Sequence, residues 1–66
     1  MQITVNGETR ELGEGQTLTQ LLTQLELTGK RIAVELNESI IPRARHDETV
    51  LRDGDKIEII HAIGGG

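Results

Sequence analysis

Residues 17–29, TLTQLLTQLELTG, decide the fold, because they carry a clear helical pattern with a marked start. Thr17 and Gln20 have the spacing of a capping box, in which each side chain satisfies a free backbone N–H at the helix start. Gly29 is placed to end the helix in the left-handed region. The segment therefore predicts an amphipathic helix, and its apolar stripe consists of Leu18, Leu21, Leu22 and Leu25.

A β-hairpin is predicted before this helix. Residues 1–5 alternate apolar and polar side chains, and this period of two indicates a half-buried strand. Asn6-Gly7 follows, and both residues tolerate the positive φ of a type I′ turn. Residues 8–12 form the return strand, whose polar character suits the edge of a sheet. Residues 13–15, Gly-Glu-Gly, end the hairpin.

Further strands are predicted after the helix. Residues 31–36 alternate again, with the aliphatic side chains of Ile32, Val34 and Leu36 on one side. Asn37-Glu38 forms a turn, and Ile40-Ile41 is a candidate short strand that Pro42 stops.

The last part of the chain contains one more strand. Residues 43–49 are polar and predict an irregular or one-turn connection. Val50 and Leu51 are expected to fill the core from beneath. Residues 53–55, Asp-Gly-Asp, predict a tight turn, and residues 56–61 form the final strand.

The order ββαβ(β)β predicts an α+β fold, in which one helix covers one face of a mixed sheet. The first and last strands can pair in parallel at the sheet centre, because the helix separates them along the chain. This arrangement is the β-grasp plan. The uncovered face of the sheet is expected to carry Ala33, Glu35, Glu58 and Ile60.

Composition excludes several classes of function. The chain of 66 residues has no Cys, so it has no side-chain thiol for nucleophilic, redox or sulfur-carrying chemistry. It has no Phe, Trp or Tyr on which nucleic-acid bases could stack. A net charge of −4 also argues against binding to a phosphate backbone. We therefore expect no nucleic-acid partner.

Metal and membrane binding are not expected either. His46 and His61 lack the spacing of metal ligands, and Asp53, Asp55 and Glu58 are better explained by a turn than by a metal cluster. No apolar run approaches the roughly 18 residues of a membrane span. The residues after Met1 lack the basic region of a signal peptide. We expect a cytoplasmic protein.

Residues 64–66, three glycines, have no evident folding role. Glycine loses the most conformational entropy on ordering, so we expect a flexible tail behind a domain that spans residues 1–63. An extended tail of this length reaches about 10 Å and can thread a narrow groove. It delivers the α-carboxylate of Gly66, and His61 is a candidate for steering it. The competing interpretation is an inert, frayed end.

The whole chain resembles the ThiS family of sulfur-carrier proteins of thiamin biosynthesis. That family is ubiquitin-like, has the β-grasp fold and ends in Gly-Gly. The resemblance rests on Asn6-Gly7 after the first strand and on these stretches: GQTL (15–18), IAVELN (32–37), IIPR (40–43), DGDKIEII (53–60) and HAIGGG (61–66).

The resemblance implies a protein co-substrate and not an enzyme. An ATP-dependent adenylating enzyme of the ubiquitin-activating type adenylates the carboxylate, here that of Gly66, while Gly64 and Gly65 thread its active site. A sulfur-donor enzyme supplies sulfur, and thiazole synthase uses the resulting thiocarboxylate. The chain itself would bind no cofactor and would be a monomer when free. For docking these partners, the candidates are Ile60, Ala33 and Ala62.

Three alternatives remain open at this point. The small subunit of molybdopterin synthase has the same fold, ending and thiocarboxylate chemistry, with a different sulfur acceptor. A ubiquitin-like modifier would be joined to lysine amines. A β-grasp interaction module with an inert tail belongs to a different class.

Overall fold

The computed structural model describes residues 1–62. Ile63 and the three tail glycines lie outside the described residues, and so does the predicted division between domain and tail. Within the described part, the elements are the strands β1 (Gln2–Val5), β2 (Glu8–Glu11), β3 (Ile32–Leu36), β4 (Ser39–Ile40) and β5 (Lys56–His61), the helix α1 (Leu18–Gln24) and a 3₁₀ turn (Arg43–Arg45).

The strands form a mixed sheet in the order β2-β1-β5-β3-β4. β1 and β5 pair in parallel, and β2, β3 and β4 pair antiparallel with their neighbours. The polar β2 lies at an edge, where all four of its residues are exposed. This topology confirms the predicted α+β β-grasp fold, with the first and last strands at the centre of the sheet.

The core lies between α1 and one face of the sheet. The alternation in β1, β3 and β5 directs every second side chain toward the helix, as the period of a strand requires. Leu18 and Leu21 on α1 and Ile57 on β5 are completely buried. The other buried apolar residues are Ile3, Val5, Leu12, Leu22, Val34, Leu51 and Ile59.

The start of α1 is as predicted. Thr17 Oγ1 accepts a hydrogen bond from the Gln20 N–H at 3.2 Å, and Gln20 Oε1 accepts one from the Thr17 N–H at 2.8 Å. These two bonds complete the capping box. No helix in residues 1–62 is long and apolar enough to cross a membrane.

The predicted helix end at Gly29 is wrong. Glu26 adopts the left-handed conformation, with a φ of 60°. Its N–H donates to the Thr23 carbonyl oxygen at 3.0 Å, and the Leu27 N–H donates to the Leu22 carbonyl oxygen at 2.9 Å. This pattern is a Schellman motif, and it brings Leu27 against the core one turn earlier than a glycine cap would. Gly29, with a φ of 80°, lies in the next turn.

Two smaller predictions also need correction. Leu51 fills the core, but Val50 is 50% exposed, because successive side chains of this extended segment point to opposite sides. The short strand β4 comprises Ser39–Ile40, one residue earlier than Ile40-Ile41. The tight turn after β3 sets this register: it contains only Asn37 and Glu38, so Leu36 pairs with Ser39 and β4 begins there.

Candidate functional site: the open face of the sheet

The face of the sheet away from α1 carries the predicted docking residues. Ala33 on β3 lies directly opposite Ile60 on β5, and Glu35 lies opposite Glu58. Partners in a ladder project to the same side, so these four residues share the open face, as predicted. Ile60 is 50% exposed and Ala33 is exposed. The pair forms a small apolar patch that spans β3 and β5 on the open face.

A shallow groove lies at the end of this patch. Its volume is about 280 Å³, and it brings together the three predicted docking residues, Ala33, Ile60 and Ala62. The other lining residues are Arg31, Ile32, Arg43 and His61. The Ala62 N–H donates to the Arg31 carbonyl oxygen at 2.9 Å, so the ladder of β3 holds the chain up to the last residue described. The groove therefore lies beside the last described residues of the chain, at the end of β5.

Arg43 forms one wall of the groove. Pro42 precedes it with a φ of −59°, and Arg43 begins the 3₁₀ turn. Its Nη2 donates to the Lys30 carbonyl oxygen at 2.9 Å, across the loop that leads into β3. This hydrogen bond fixes the guanidinium beside the groove even though the residue is exposed.

The centre of the open face is acidic. Glu35 and Glu58 are half-buried and lie opposite each other, which is unfavourable for two like charges. Lys56 moderates this repulsion, because its Nζ lies 3.6 Å from Glu58 Oε1. The open face thus changes sign along β5, from carboxylates at its centre to arginines at the groove.

Sequence reasoning missed two residues of this surface. Ile40 is 68% exposed and lies opposite Glu35, so it adds an aliphatic side chain to the same face. A strand of two residues has no measurable periodicity, so no sequence signal assigns Ile40 to a face. Arg43 is also missed, because its hydrogen bond to the Lys30 carbonyl oxygen joins residues distant in sequence.

The acidic residues before β5 form a turn. Asp53 Oδ1 accepts from the Gln2 N–H at 2.7 Å, and Asp55 Oδ2 accepts from the Arg52 N–H at 2.8 Å. Residues 1–62 contain no group of three or more His, Asp or Glu side chains placed to hold a metal ion.

The two histidines have different surroundings. His46 is buried beside the core, where its Nε2 lies 3.0 Å from the Ile41 carbonyl oxygen. His61 is exposed at the end of β5 and lines the groove, opposite Ile32 in the ladder. The predicted tail residues Gly64, Gly65 and Gly66 lie outside the described residues.

Known proteins resemble this chain over most or all of its length. It is 35% identical over 66 residues to the sulfur carrier protein ThiS of Escherichia coli, covering all of both chains. It is 44% identical over 50 residues to the sulfur carrier protein ThiS of Bacillus subtilis, covering 76% of each. The crystal structure of the thiamine biosynthesis protein ThiS from Geobacter metallireducens matches it with a TM-score of 0.87 and 35% identity, over both chains entirely.

A second kind of relative is much longer. The thiazole synthase of Paramagnetospirillum magneticum is 38% identical over 66 residues. The chain spans only 20% of the length of that protein. The model of the ThiS family itself matches residues 3–66. These matches confirm the predicted family: the chain belongs to the ThiS family, whose relatives include proteins named sulfur carrier protein ThiS.

Proposed function

We propose that the carboxylate of Gly66 carries the sulfur. A carboxylate oxygen attacks the α-phosphorus of ATP in the adenylating enzyme, which forms an acyl-adenylate and releases pyrophosphate. A sulfur nucleophile from a donor enzyme then attacks the acyl carbon, and AMP leaves with the electron pair of the broken C–O bond. With a donor persulfide as this nucleophile, a thiolate of the donor enzyme next attacks the S–S bond that links the acyl group to the donor. A disulfide forms on the donor and a thiocarboxylate is released, whose anionic sulfur is the nucleophile for thiazole formation.

The family match through residue 66 carries this proposal, because it includes the three glycines in the pattern shared with sulfur carriers. The residues of the chain fit a passive role. There is no Cys that could carry the sulfur or attack the adenylate. Glycine has no Cβ, so residues 64–66 can enter a groove that excludes other residues. The folded domain then presents the carboxylate, and the enzymes supply the chemistry.

We further propose that thiazole synthase is the sulfur acceptor and that the open face docks the partners. A region similar to this chain occurs within proteins named thiazole synthase, which supports a pairing of the two. The patch of Ala33 and Ile60 is close to the point where the chain leaves β5, so an enzyme that receives the tail would contact it. Since adenylation consumes ATP, we place this chemistry in the cytoplasm.

Mass spectrometry tests the proposal. The chain is incubated with the cognate adenylating enzyme, ATP and a sulfur donor, and its C-terminal peptide is analysed. We expect the mass increase that corresponds to exchange of one oxygen for sulfur, and we expect none without ATP. The modified chain should then support thiazole formation by thiazole synthase. An unmodified terminal peptide in the presence of a competent enzyme would contradict the proposal and favour an inert tail.

A further inference from the structure

The groove at the end of β5 differs in charge from the rest of the protein. The chain carries a net charge of −4, yet the described residues that line the groove include two arginines and no Asp or Glu. Its floor is apolar, formed by Ala33, Ile60 and Ala62, which are all exposed. This site therefore combines an aliphatic floor with a cationic wall.

The guanidinium of Arg43 is held ready for an anionic ligand. It donates one hydrogen bond, from Nη2 to the Lys30 carbonyl oxygen. No carboxylate within residues 1–62 forms an ion pair with it. A guanidinium has five N–H donors in a planar fork, so a carboxylate can bind to those that remain, in two parallel hydrogen bonds. Fixing the side chain in advance lowers the entropy lost on binding.

We propose that this groove binds a carboxylate side chain of the adenylating enzyme together with a neighbouring aliphatic side chain. The carboxylate binds at Arg43, and the aliphatic side chain covers the floor formed by Ala33, Ile60 and Ala62. This inference rests on the proposed function, because it names the chemistry of the partner. The positive charge of the groove favours this occupant over a purely apolar one. The acidic remainder of the chain repels the partner's carboxylate, and this disfavours other orientations of the two proteins.

Substitutions at Ala62 separate charge from size. Ala62 is exposed, and only its backbone is used in the ladder, so Ala62→Glu, Ala62→Gln and Ala62→Lys should all fold. Binding to the cognate adenylating enzyme is measured by titration calorimetry. We expect Ala62→Glu to bind about tenfold more weakly than Ala62→Gln, because it places a competing carboxylate beside Arg43. Ala62→Lys should bind at least as tightly as Ala62→Gln. Equal affinities for the Glu and Lys variants would overturn the inference.

A second pair of variants tests the cation itself. Arg43→Gln should bind about tenfold more weakly and lose much of the salt dependence of binding. Arg52→Gln is the matched control, because Arg52 is exposed, precedes the turn that leads into β5 and lies outside the groove. Thermal melting of both variants reports whether they are folded. Equal losses in the two variants, or wild-type binding that does not respond to salt, would contradict the inference.

The binding assay does not depend on adenylation of the chain. If the wild-type chain binds the enzyme but its terminal peptide is never adenylated, the proposed function fails while the groove is still tested by affinity. If the chain is adenylated, groove variants should raise its KM and leave kcat unchanged. If the variants instead alter self-association in sedimentation experiments, the occupant is a second copy of the chain and the inference is wrong.

Discussion

The side chain of Asn6 forms two hydrogen bonds with the backbone of Ile59. Asn6 Oδ1 accepts from the Ile59 N–H at 2.7 Å, and Asn6 Nδ2 donates to the Ile59 carbonyl oxygen at 3.3 Å. The parallel ladder between β1 and β5 reaches only as far as Val5 and Ile57. The carboxamide of Asn6 therefore continues the ladder by one step toward the C-terminal end of β5, where the groove lies.

The side chain of Asn37 also forms hydrogen bonds at the start of β5. Its Oδ1 accepts from the Lys56 N–H at 2.9 Å, and its Nδ2 donates to Asp55 Oδ1 at 3.0 Å. Asn6 and Asn37 both begin type I′ turns, with φ of 49° and 50°. Each asparagine therefore has two functions: it adopts the left-handed turn conformation, and its side chain binds the central strand.

We expect Asn6→Gly to destabilise the domain by about 1–3 kcal/mol, because the backbone groups of Ile59 lose their partners. Glycine keeps the positive φ of the turn, so the loss reports the hydrogen bonds and not backbone strain. Urea denaturation measures the free energy of unfolding. Asn37→Gly is the matched control and should cost less, because its hydrogen bonds are exposed whereas those of Asn6 are partly buried. The reverse ranking would contradict this account of β5.

Glu26→Gly should stabilise the domain by about 1 kcal/mol. A residue with a Cβ in the left-handed region costs roughly 1–2 kcal/mol, and part of this gain is offset by the greater freedom of glycine in the unfolded chain. Glu26→Ala is the control, because it removes the carboxylate but retains the Cβ, and it should not be stabilising. Equal stabilities of the Gly and Ala variants would show that backbone strain at the end of α1 is negligible.

Leu21→Ala should cost about 2–5 kcal/mol, a large part of the stability of a small domain. Leu21 is completely buried between α1 and the sheet. Leu25→Ala should cost less, because Leu25 is only half-buried at the end of the helix. The free energies of unfolding of both variants check this, and similar values would mean that the helix faces the sheet differently.

Ile60→Asp should leave the melting temperature nearly unchanged and weaken binding to the adenylating enzyme. Val50→Asp provides a closely matched control, because both residues are 50% exposed and Val50 lies outside the strands, next to the start of α1. The charge change and the exposure are then the same, and only the position differs. Equal affinities of the two variants for the enzyme would rule out the open face as the docking surface.

An alanine added after Gly66 should abolish adenylation and thiocarboxylate formation. The addition moves the carboxylate outward and introduces a Cβ, and such a displacement removes a reactive geometry worth several orders of magnitude in rate. Mass spectrometry of the terminal peptide measures the modification. An added glycine is the control, because it displaces the carboxylate without a Cβ and separates the two effects. Efficient modification of the alanine variant would contradict the role of Gly66.

Local signals in the chain were sufficient for most of the fold. The capping box at Thr17, the type I′ turn at Asn6-Gly7 and the alternation in residues 32–36 each depend on residues within a few positions of one another, so they can be interpreted without tertiary contacts. The register of β3 against β5 was not available in this way. Alternation did, however, assign Ala33 and Ile60 to the face opposite the aliphatic core, and the structure confirms that assignment.

Two of the errors concern which side chain reaches the core. Gly29 had the stronger intrinsic preference for the end of the helix, but Leu27 packs against the core, and this burial outweighs the strain at Glu26. Val50 is apolar like Leu51, yet successive side chains in an extended segment point to opposite sides, so only one of them could be buried.

Residue patterns alone were enough to establish the β-grasp plan and the apolar stripe of the helix, because periodicity and turn chemistry are local properties. Tertiary structure decided what surrounds the end of β5. Arg43, Ala62 and Ala33 are separated along the chain and come together only through the ladder of β3 and the 3₁₀ turn. A groove built from distant segments has no local signal, because its geometry depends on strand register and on a side chain held by the Lys30 carbonyl group.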